Sequence, residues 1–453
     1  VLAIPCPWLA MHLKCPTYQA AGVAVPGIPI VTLGYNGKIA WGATMVTADS
    51  QDIFIEKLKT ADGGLRYLYR GEWLPVVEKT ETIKIKGKDD YLLKLRTTRH
   101  GTLMNEALEK MPRKAELPVQ PVPFSSSYGI ALRWAMEGIG TTLNGFDGLA
   151  RSTTMDGARR AMAGIKSIYL NIVYGDANNI GWQVTGAVPV RKKGLGLLPS
   201  PGWDGEYDWT GFLPFEKLPY AVNPPDGYLA TANNRTVEKN FPHNISATWY
   251  HPDRADRLEE MLAPLKKAGL EDMERLQADR RSLMAAKVQR LLFDGPLSKD
   301  IAAAVASLKN GKDRKRAAEA LRTLDRKNFD CVMDAGSAPA ALMGCFYYSF
   351  THRLFLDELG PEKGPLWRSF LDLNAVSYSA PEDHLVGRGD SPYWDDVRTA
   401  EKETRAEIIA LALADAVKLC EKKLGSDRAK WRWGKLHTYH WKHDISKQTS
   451  LFN

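Results

Sequence analysis

The hydrophobic period of this 453-residue chain changes near residue 250, and that change limits the fold more than any other feature. Before it, short β-branched stretches alternate with Gly and Pro at 22–27, 30–33, 39–41 and 53–55, with Asn36-Gly37 between the second and the third. Both residues of that dipeptide tolerate positive φ, so it marks a tight hairpin turn. Further strands are expected at 82–85, 91–96, 130–134, 168–174, 180–188 and 227–232, and one helix at 156–166. The Gly- and Pro-rich run 194–225 reads as a long surface excursion. After Pro252, apolar residues recur at three- and four-residue intervals over 254–265, 270–292, 299–308, 314–324 and 401–424, which is the spacing of amphipathic helices. Trp431 to His437 returns to strand texture, so the helical block looks inserted between strands. A sheet carrying helices that leave and return is an α+β arrangement. The expected organisation is one integrated domain, with a β-rich part at 1–250, a mainly helical part at 251–430 and core strands again at 431–453.

Several function classes are disfavoured. The formal net charge is +8, but the basic residues are scattered and no zinc finger, RNA-binding signature or aromatic-basic ladder accompanies them, so nucleic acid is not an expected partner. The longest apolar run, 338–350, contains Tyr347, Tyr348 and Ser349 and falls short of the ~18–20 residues a bilayer requires, so no membrane span is expected. None of the five cysteines forms a CxxC pair, which argues against a zinc ribbon or redox dithiol. Cys6 with Cys15, or Cys331 with Cys345, could close a short loop, and buried free thiols fit equally well. Val1-Leu2-Ala3-Ile4-Pro5 lacks the basic n-region of a signal peptide, and a start without Met suggests a processed or trimmed chain. Tyr35-Asn36-Gly37-Lys38-Ile39-Ala40-Trp41-Gly42 resembles Asp176-Ala177-Asn178-Asn179-Ile180-Gly181-Trp182, but two copies are too few for a propeller.

Self-contained catalytic motifs are scarce. There is no GxSxG elbow, SxxK, HExxH, Walker A or GxGxxG. His437-x-x-His440-x-x-His443 has a metal-like look, but on a strand that spacing alternates faces, so a packed or solvated cluster is the default. Asp49-Ser50-Gln51-Asp52 places two carboxylates around a backbone carbonyl, a donor set suited to a hard cation such as calcium. Thr231-Ala232-Asn233-Asn234-Arg235 ends an expected strand. A carboxamide there is either an Asx turn or a neutral, rigid donor to a developing oxyanion. Arg254 opens the first long helix, where it could pair with Asp253 or Asp256 or point back toward the sheet.

Nine stretches, in order, resemble the penicillin acylase family of N-terminal-nucleophile (Ntn) hydrolases. They are Trp8-Leu9-Ala10-Met11-His12-Leu13, Ala21-Gly22-Val23-Ala24-Val25-Pro26-Gly27-Ile28-Pro29, Leu33-Gly34-Tyr35-Asn36-Gly37-Lys38-Ile39-Ala40-Trp41-Gly42, Arg99-His100-Gly101, Asn171-Ile172-Val173-Tyr174-Gly175-Asp176, Leu198-Pro199-Ser200-Pro201-Gly202-Trp203, Trp209-Thr210-Gly211, Pro214-Phe215 and Thr231-Ala232-Asn233-Asn234-Arg235. The resemblance implies a four-layer αββα sandwich with a large helical insertion, and a match to the large β chain left after a zymogen cleaves itself. It further implies hydrolysis of an N-acyl amide by a nucleophile preceding the segment that matches Val1, with an oxyanion hole made by the Asn233 side chain and the Met45 backbone N–H. Arg254 would orient that site, and Leu33, Ala43 and Leu170 would line the acyl pocket. A structural calcium would sit on Asp49, the Gln51 carbonyl and Asp52, although the matching ligand position near Asn244-Ile245 is not Asp; no organic cofactor is implied. Expected partners are a small α chain from the same precursor, a nucleophile-bearing segment and a small N-acylated substrate, such as a β-lactam, an acyl-homoserine lactone or an N-acyl amino acid. A periplasmic or secreted location is implied as well. The rival readings are a non-catalytic scaffold or acyl-ligand binder of the same fold, and a β-rich binding protein that stacks ligands on Trp182, Trp203 and Trp209.

Overall fold

A computed structural model describes residues 6–110, 127–136 and 140–440. The segment around Val1, His443 and the expected strands beyond residue 440 lie outside the described residues. The chain divides into two compact units, separated in sequence between Trp249 and Tyr250, where the hydrophobic period changes.

Besides a two-stranded ribbon of Pro189–Arg191 and Trp209–Phe212, the first unit is built on two large sheets. One has seven strands, in the order Leu9–Cys15, Tyr18–Ala24, Leu33–Tyr35, Ala40–Met45, Leu170–Gly175, Ile180–Val184 and Tyr220–Val222, all antiparallel. The Asn36-Gly37 turn forms as its chemistry requires: Gly37 has φ +90°, and Asn36 Oδ1 accepts from the amides of Lys38 (3.0 Å) and Ile39 (2.8 Å). Asn36 Nδ2 then donates to the carbonyls of Ala150 (2.9 Å) and Ser152 (2.7 Å), so the hairpin satisfies the end of helix Thr142–Arg151. Gly34 lies opposite Gly22 because no side chain fits there; a Cβ on Gly34 would stand 2.2 Å from the Ala21 carbonyl oxygen. Asp176 shapes the next turn, its Oδ1 accepting from the amides of Asn178 and Asn179 at 2.8 Å each. The two look-alike segments are thus neighbouring turns of one sheet, with Tyr174 opposite Trp41. Helices Thr142–Arg151 and Met155–Met162 send Phe146, Leu149, Ala158 and Met162 into a core shared with Ile39, Trp41, Ile172 and Tyr174.

The other sheet has eight strands and centres on Gln51–Ala61, which pairs with Tyr128–Trp134, Gly64–Tyr69 and, in parallel, Ser200–Pro201. Residues 227–232, expected as a strand, are irregular. The Pro224-Pro225-Asp226-Gly227 turn feeds them into a loop, and the strand of this region lies earlier, at Tyr220–Val222.

The second unit is helical. Helices Ala338–Phe355 and Arg405–Leu424 pack together, and Leu297–Ser307 and Gly311–Leu324 pack on the latter. The apolar 338–350 run is a core helix, with Phe346, Phe350 and Leu354 fully buried. Among the described residues no helix is long and apolar enough to cross a membrane. The expected 270–292 helix is two, Leu270–Ala278 and Leu283–Phe293, because the Ser282 hydroxyl caps the second by accepting from the Ala285 amide at 3.1 Å. Strand structure at 431–437 is corrected to a 3₁₀ turn at Arg428–Lys430 and a helical turn at Trp433–Leu436. The apolar order that looked alternating also fits i, i+3 and i+4 spacing, and His437 stacks on Trp433 with ring centroids 4.9 Å apart.

Candidate active site

The strand Ala40–Met45 runs past its neighbour. Leu33–Tyr35 pairs only with its first residues, through Gly34–Trp41 and Tyr35–Ala40, whereas Leu170–Gly175 follows it to Met45 on the other side. Val46 donates to the Tyr169 carbonyl at 2.9 Å, so the alternation of an antiparallel ladder turns both the N–H and the C=O of Met45 away from Leu170. On that edge Asn233 meets it, with Nδ2 donating to the Met45 carbonyl at 2.9 Å. Asn233 adopts φ +59°, a left-handed conformation that Asn tolerates better than most residues.

A half-buried relay holds the two together. The Trp182 indole N–H donates to Asn171 Oδ1 (3.1 Å), Asn171 Nδ2 donates to the Thr44 hydroxyl (3.3 Å), and Thr44 and Thr231 share a hydroxyl hydrogen bond of 2.5 Å. Asn171 is fully buried. Thr44, Thr231 and Asn171 were not singled out from the sequence as site residues. The signal available was the tripeptide spacing that puts Thr231 two residues before Asn233, together with Asn171 opening a quoted motif. Leu33, Ala43 and Leu170 are half-buried and pack against the core beneath the helices. Arg254 lies on helix Asp253–Leu262 in the second unit, its surface exposed.

The corner carrying Asp49, Gln51 and Asp52 is closed by an internal cation. Arg191 Nε and Nη2 lie 2.8 and 2.7 Å from the two oxygens of Asp52, Nη2 also donates to the Asp49 carbonyl at 2.8 Å, and the Trp209 indole N–H reaches Asp52 at 2.7 Å. Asp49 Oδ2 accepts from the Ala247 amide at 2.7 Å. Burial pushes the Asp49 carboxyl up, against the hydrogen bonds from Ala247 and the Asn244 side chain. Gln51 is exposed at the start of its strand. Calcium takes about six to eight oxygens, and a guanidinium holding both oxygens of one carboxylate leaves no such donor set. The residues as arranged do not fit the expected calcium.

The Arg99-His100-Gly101 motif forms a second buried cluster in the first unit. His100 Nδ1 lies 2.8 Å from Glu56 Oε1 and its Nε2 2.9 Å from Asp208 Oδ1, while Phe54 stacks on the ring at 4.2 Å. Tyr69 donates to Asp208 at 2.7 Å and Arg99 at 3.1 Å. Burial alone would push the Asp208 carboxyl up; the hydrogen bonds from His100 and Tyr69 and the charge of Arg99 outweigh it and hold the group below its ordinary value. A carboxyl depressed in the folded state contributes stability that is present above its unfolded pKa, about 3.9, and is lost as pH falls through the lower folded value. Urea midpoints should therefore fall as pH drops below about 4. Asp208→Asn should flatten that slope, and an unchanged slope would remove Asp208 as its source.

The remaining candidates stay apart. His437 stacks on Trp433, and His440 Nε2 bonds the Thr438 hydroxyl at 2.8 Å. Trp182, Trp203 and Trp209 each have a separate partner, respectively Asn171, the Lys57 ammonium and Asp52, so they make no common stacking surface. The helical second unit also excludes a mostly β protein.

Taken with two sheets, flanking helices and a carboxamide on an open strand edge, the chain belongs to the penicillin amidase family, whose model matches residues 1–453. Among individual relatives, the acyl-homoserine lactone acylase QuiP of Pseudomonas aeruginosa is 45% identical over 447 residues, covering 98% of this chain and 52% of that protein. The penicillin acylase 2 proenzyme of a Pseudomonas species is 30% identical over 373 residues, covering 80% of this chain and 43% of its own length. The chain spans about half the length of the curated relatives it matches. A thermostable penicillin G acylase from Alcaligenes faecalis superposes with a TM-score of 0.70 at 18% identity, covering 95% of this chain and 76% of that one, so the fold is that of the Ntn-hydrolase sandwich.

Proposed function

We propose that this chain is the β-chain portion of an enzyme that hydrolyses the amide of an N-acylated small molecule, with an acyl-homoserine lactone as the first substrate to test. The observation that carries the reading is the Asn233 carboxamide held at 2.9 Å on the peptide edge of Met45. In amide hydrolysis a nucleophile adds to the carbonyl carbon and negative charge gathers on its oxygen; fixed N–H donors stabilise that charge most when they need no rearrangement. The Thr44–Thr231 hydrogen bond supports this by anchoring the Asn233 loop to the strand that bears Met45. The nucleophile is a terminal Ser, Cys or Thr on a preceding segment, whose own amine serves as base, and a small α chain completes the acyl pocket beside Leu33, Ala43 and Leu170. The identity to QuiP favours the lactone substrate over a β-lactam. A periplasmic or secreted location goes with the same reading.

The test is to incubate the purified full-length protein with acyl-homoserine lactones of graded chain length and with penicillin G, following release of the free amine. Intact-mass analysis in parallel identifies the first residue of each chain present. Release from a lactone, together with a chain beginning in Ser, Cys or Thr, is expected. No amine from either substrate class, with the chains correctly processed, would overturn the proposal.

A further inference from the structure

The second unit holds a cluster that the proposed hydrolysis does not use. His251 precedes helix Asp253–Leu262 and Asp253 is its first residue, while Lys287 comes from Leu283–Phe293 and Glu382 from Asn374–Val386. His251 Nδ1 lies 3.3 Å from Asp253 Oδ1 and 3.2 Å from Glu382 Oε1, and the three atoms all fall within 4.8 Å of one another. The Lys287 ammonium sits among them, 2.7 Å from Glu382 Oε1, 3.4 Å from His251 Nδ1 and bonded to Asp253 Oδ1. Asp253 is 6% exposed and Glu382 1%. The second oxygen of each, Asp253 Oδ2 and Glu382 Oε2, has no hydrogen-bond partner among the described residues.

One ammonium does not complete this site. Two carboxylates and one lysine leave a formal charge of −1, and two buried oxygens remain without a donor, an arrangement that costs free energy unless something positive satisfies it. We propose that His251, Asp253 and Glu382 form a binding site for a divalent transition-metal ion of the zinc class, with the Lys287 ammonium as the placeholder that leaves when the ion enters. The spacing fits. Zinc bonds of about 2.0–2.2 Å to nitrogen and oxygen at tetrahedral angles put ligand atoms about 3.3–3.6 Å apart, beside the 3.2 and 3.3 Å found here.

The charge fits as well, since exchanging a lysine for a divalent ion neutralises the two carboxylates and sets a double positive charge beside the orphaned oxygens. An imidazole nitrogen in the donor set selects zinc-like ions over calcium or magnesium, which take oxygen. Lys287 is able to leave, because its side chain keeps 20% exposure and ends in a flexible stem. On the far side of the ring, His251 Nε2 lies 3.9 Å from Asp383 Oδ1, where an outer carboxylate can orient the imidazole. The ion would tie the start of helix Asp253–Leu262, which carries Arg254, to helix Asn374–Val386.

The experiment strips the full-length protein with a chelator and titrates it calorimetrically with Zn²⁺, then with Co²⁺ to read the visible absorption of a four-coordinate site. A stoichiometric zinc site that is lost in His251→Ala and in Glu382→Gln is expected, and Lys287→Met should bind at least about tenfold tighter because the competing ammonium is gone. Absence of stoichiometric binding in the wild type, or binding undiminished in a folded His251→Ala variant, would overturn the site. Zinc bound no more tightly by a folded Lys287→Met protein would overturn the placeholder role.

Discussion

Replacing Asn233 with alanine should lower the turnover of amide hydrolysis by about a hundredfold to a thousandfold while the protein stays folded. The size follows from the loss of one fixed oxyanion donor, which costs about 2.7–4 kcal/mol of transition-state stabilisation. A complication is local. Asn233 sits at φ +59°, where alanine pays about 1–2 kcal/mol that Asn and Gly largely avoid. Asn233→Gly is therefore the cleaner variant, since it keeps the backbone at ease and removes the same carboxamide. Both variants should lose kcat to a similar degree, with Asn233→Ala showing the larger drop in melting temperature because both lose the bond to Met45 but only alanine strains the backbone. Near-wild-type turnover in the glycine variant would take Asn233 out of the chemistry and leave it as a loop anchor.

The largest effect on stability is expected at Arg191. Its side chain is 4% exposed and that of Asp52 5%, and the pair shares two hydrogen bonds. Removing one partner of a buried ion pair strands the other charge, at about 3–5 kcal/mol. Arg191→Met should therefore lower the unfolding free energy in urea by that amount. Arg191→Met combined with Asp52→Leu should recover much of the loss, because no charge is then left behind. Calcium added after chelation should not raise the melting temperature of the wild type, since the positive charge at this corner is covalent. A melting temperature that fell with chelation, and returned on adding calcium alone, would show a metal where the guanidinium stands.

How much was legible beforehand depended on the range of each interaction. Asn36-Gly37 announced its hairpin because turn chemistry is local, and the helices after Pro252 announced themselves because their period is local too. The carboxamide at 233 was visible through resemblance, as was its company with Met45, 188 residues away. What no local pattern contained was the choice of cation beside Asp52. The acidic turn reads as a metal corner until Arg191, 139 residues on, is brought to it. Trp431 and Trp433 misled for a related reason: over seven residues, alternation and a single helical turn place apolar side chains at overlapping positions. The cluster of His251, Asp253, Lys287 and Glu382 was likewise out of reach, being assembled from three places in a helical unit whose periodicity reports only which faces are apolar.

The pairing of Ala40–Met45 with Leu170–Gly175 has a consequence for biosynthesis. The strand that carries Met45 leaves the ribosome about 125 residues before its partner. At about 5–20 residues per second it waits roughly 6–25 s with one edge open. During that interval the nascent chain presents a half-finished sheet to its surroundings, the kind of open edge that invites wrong pairing until Leu170–Gly175 arrives.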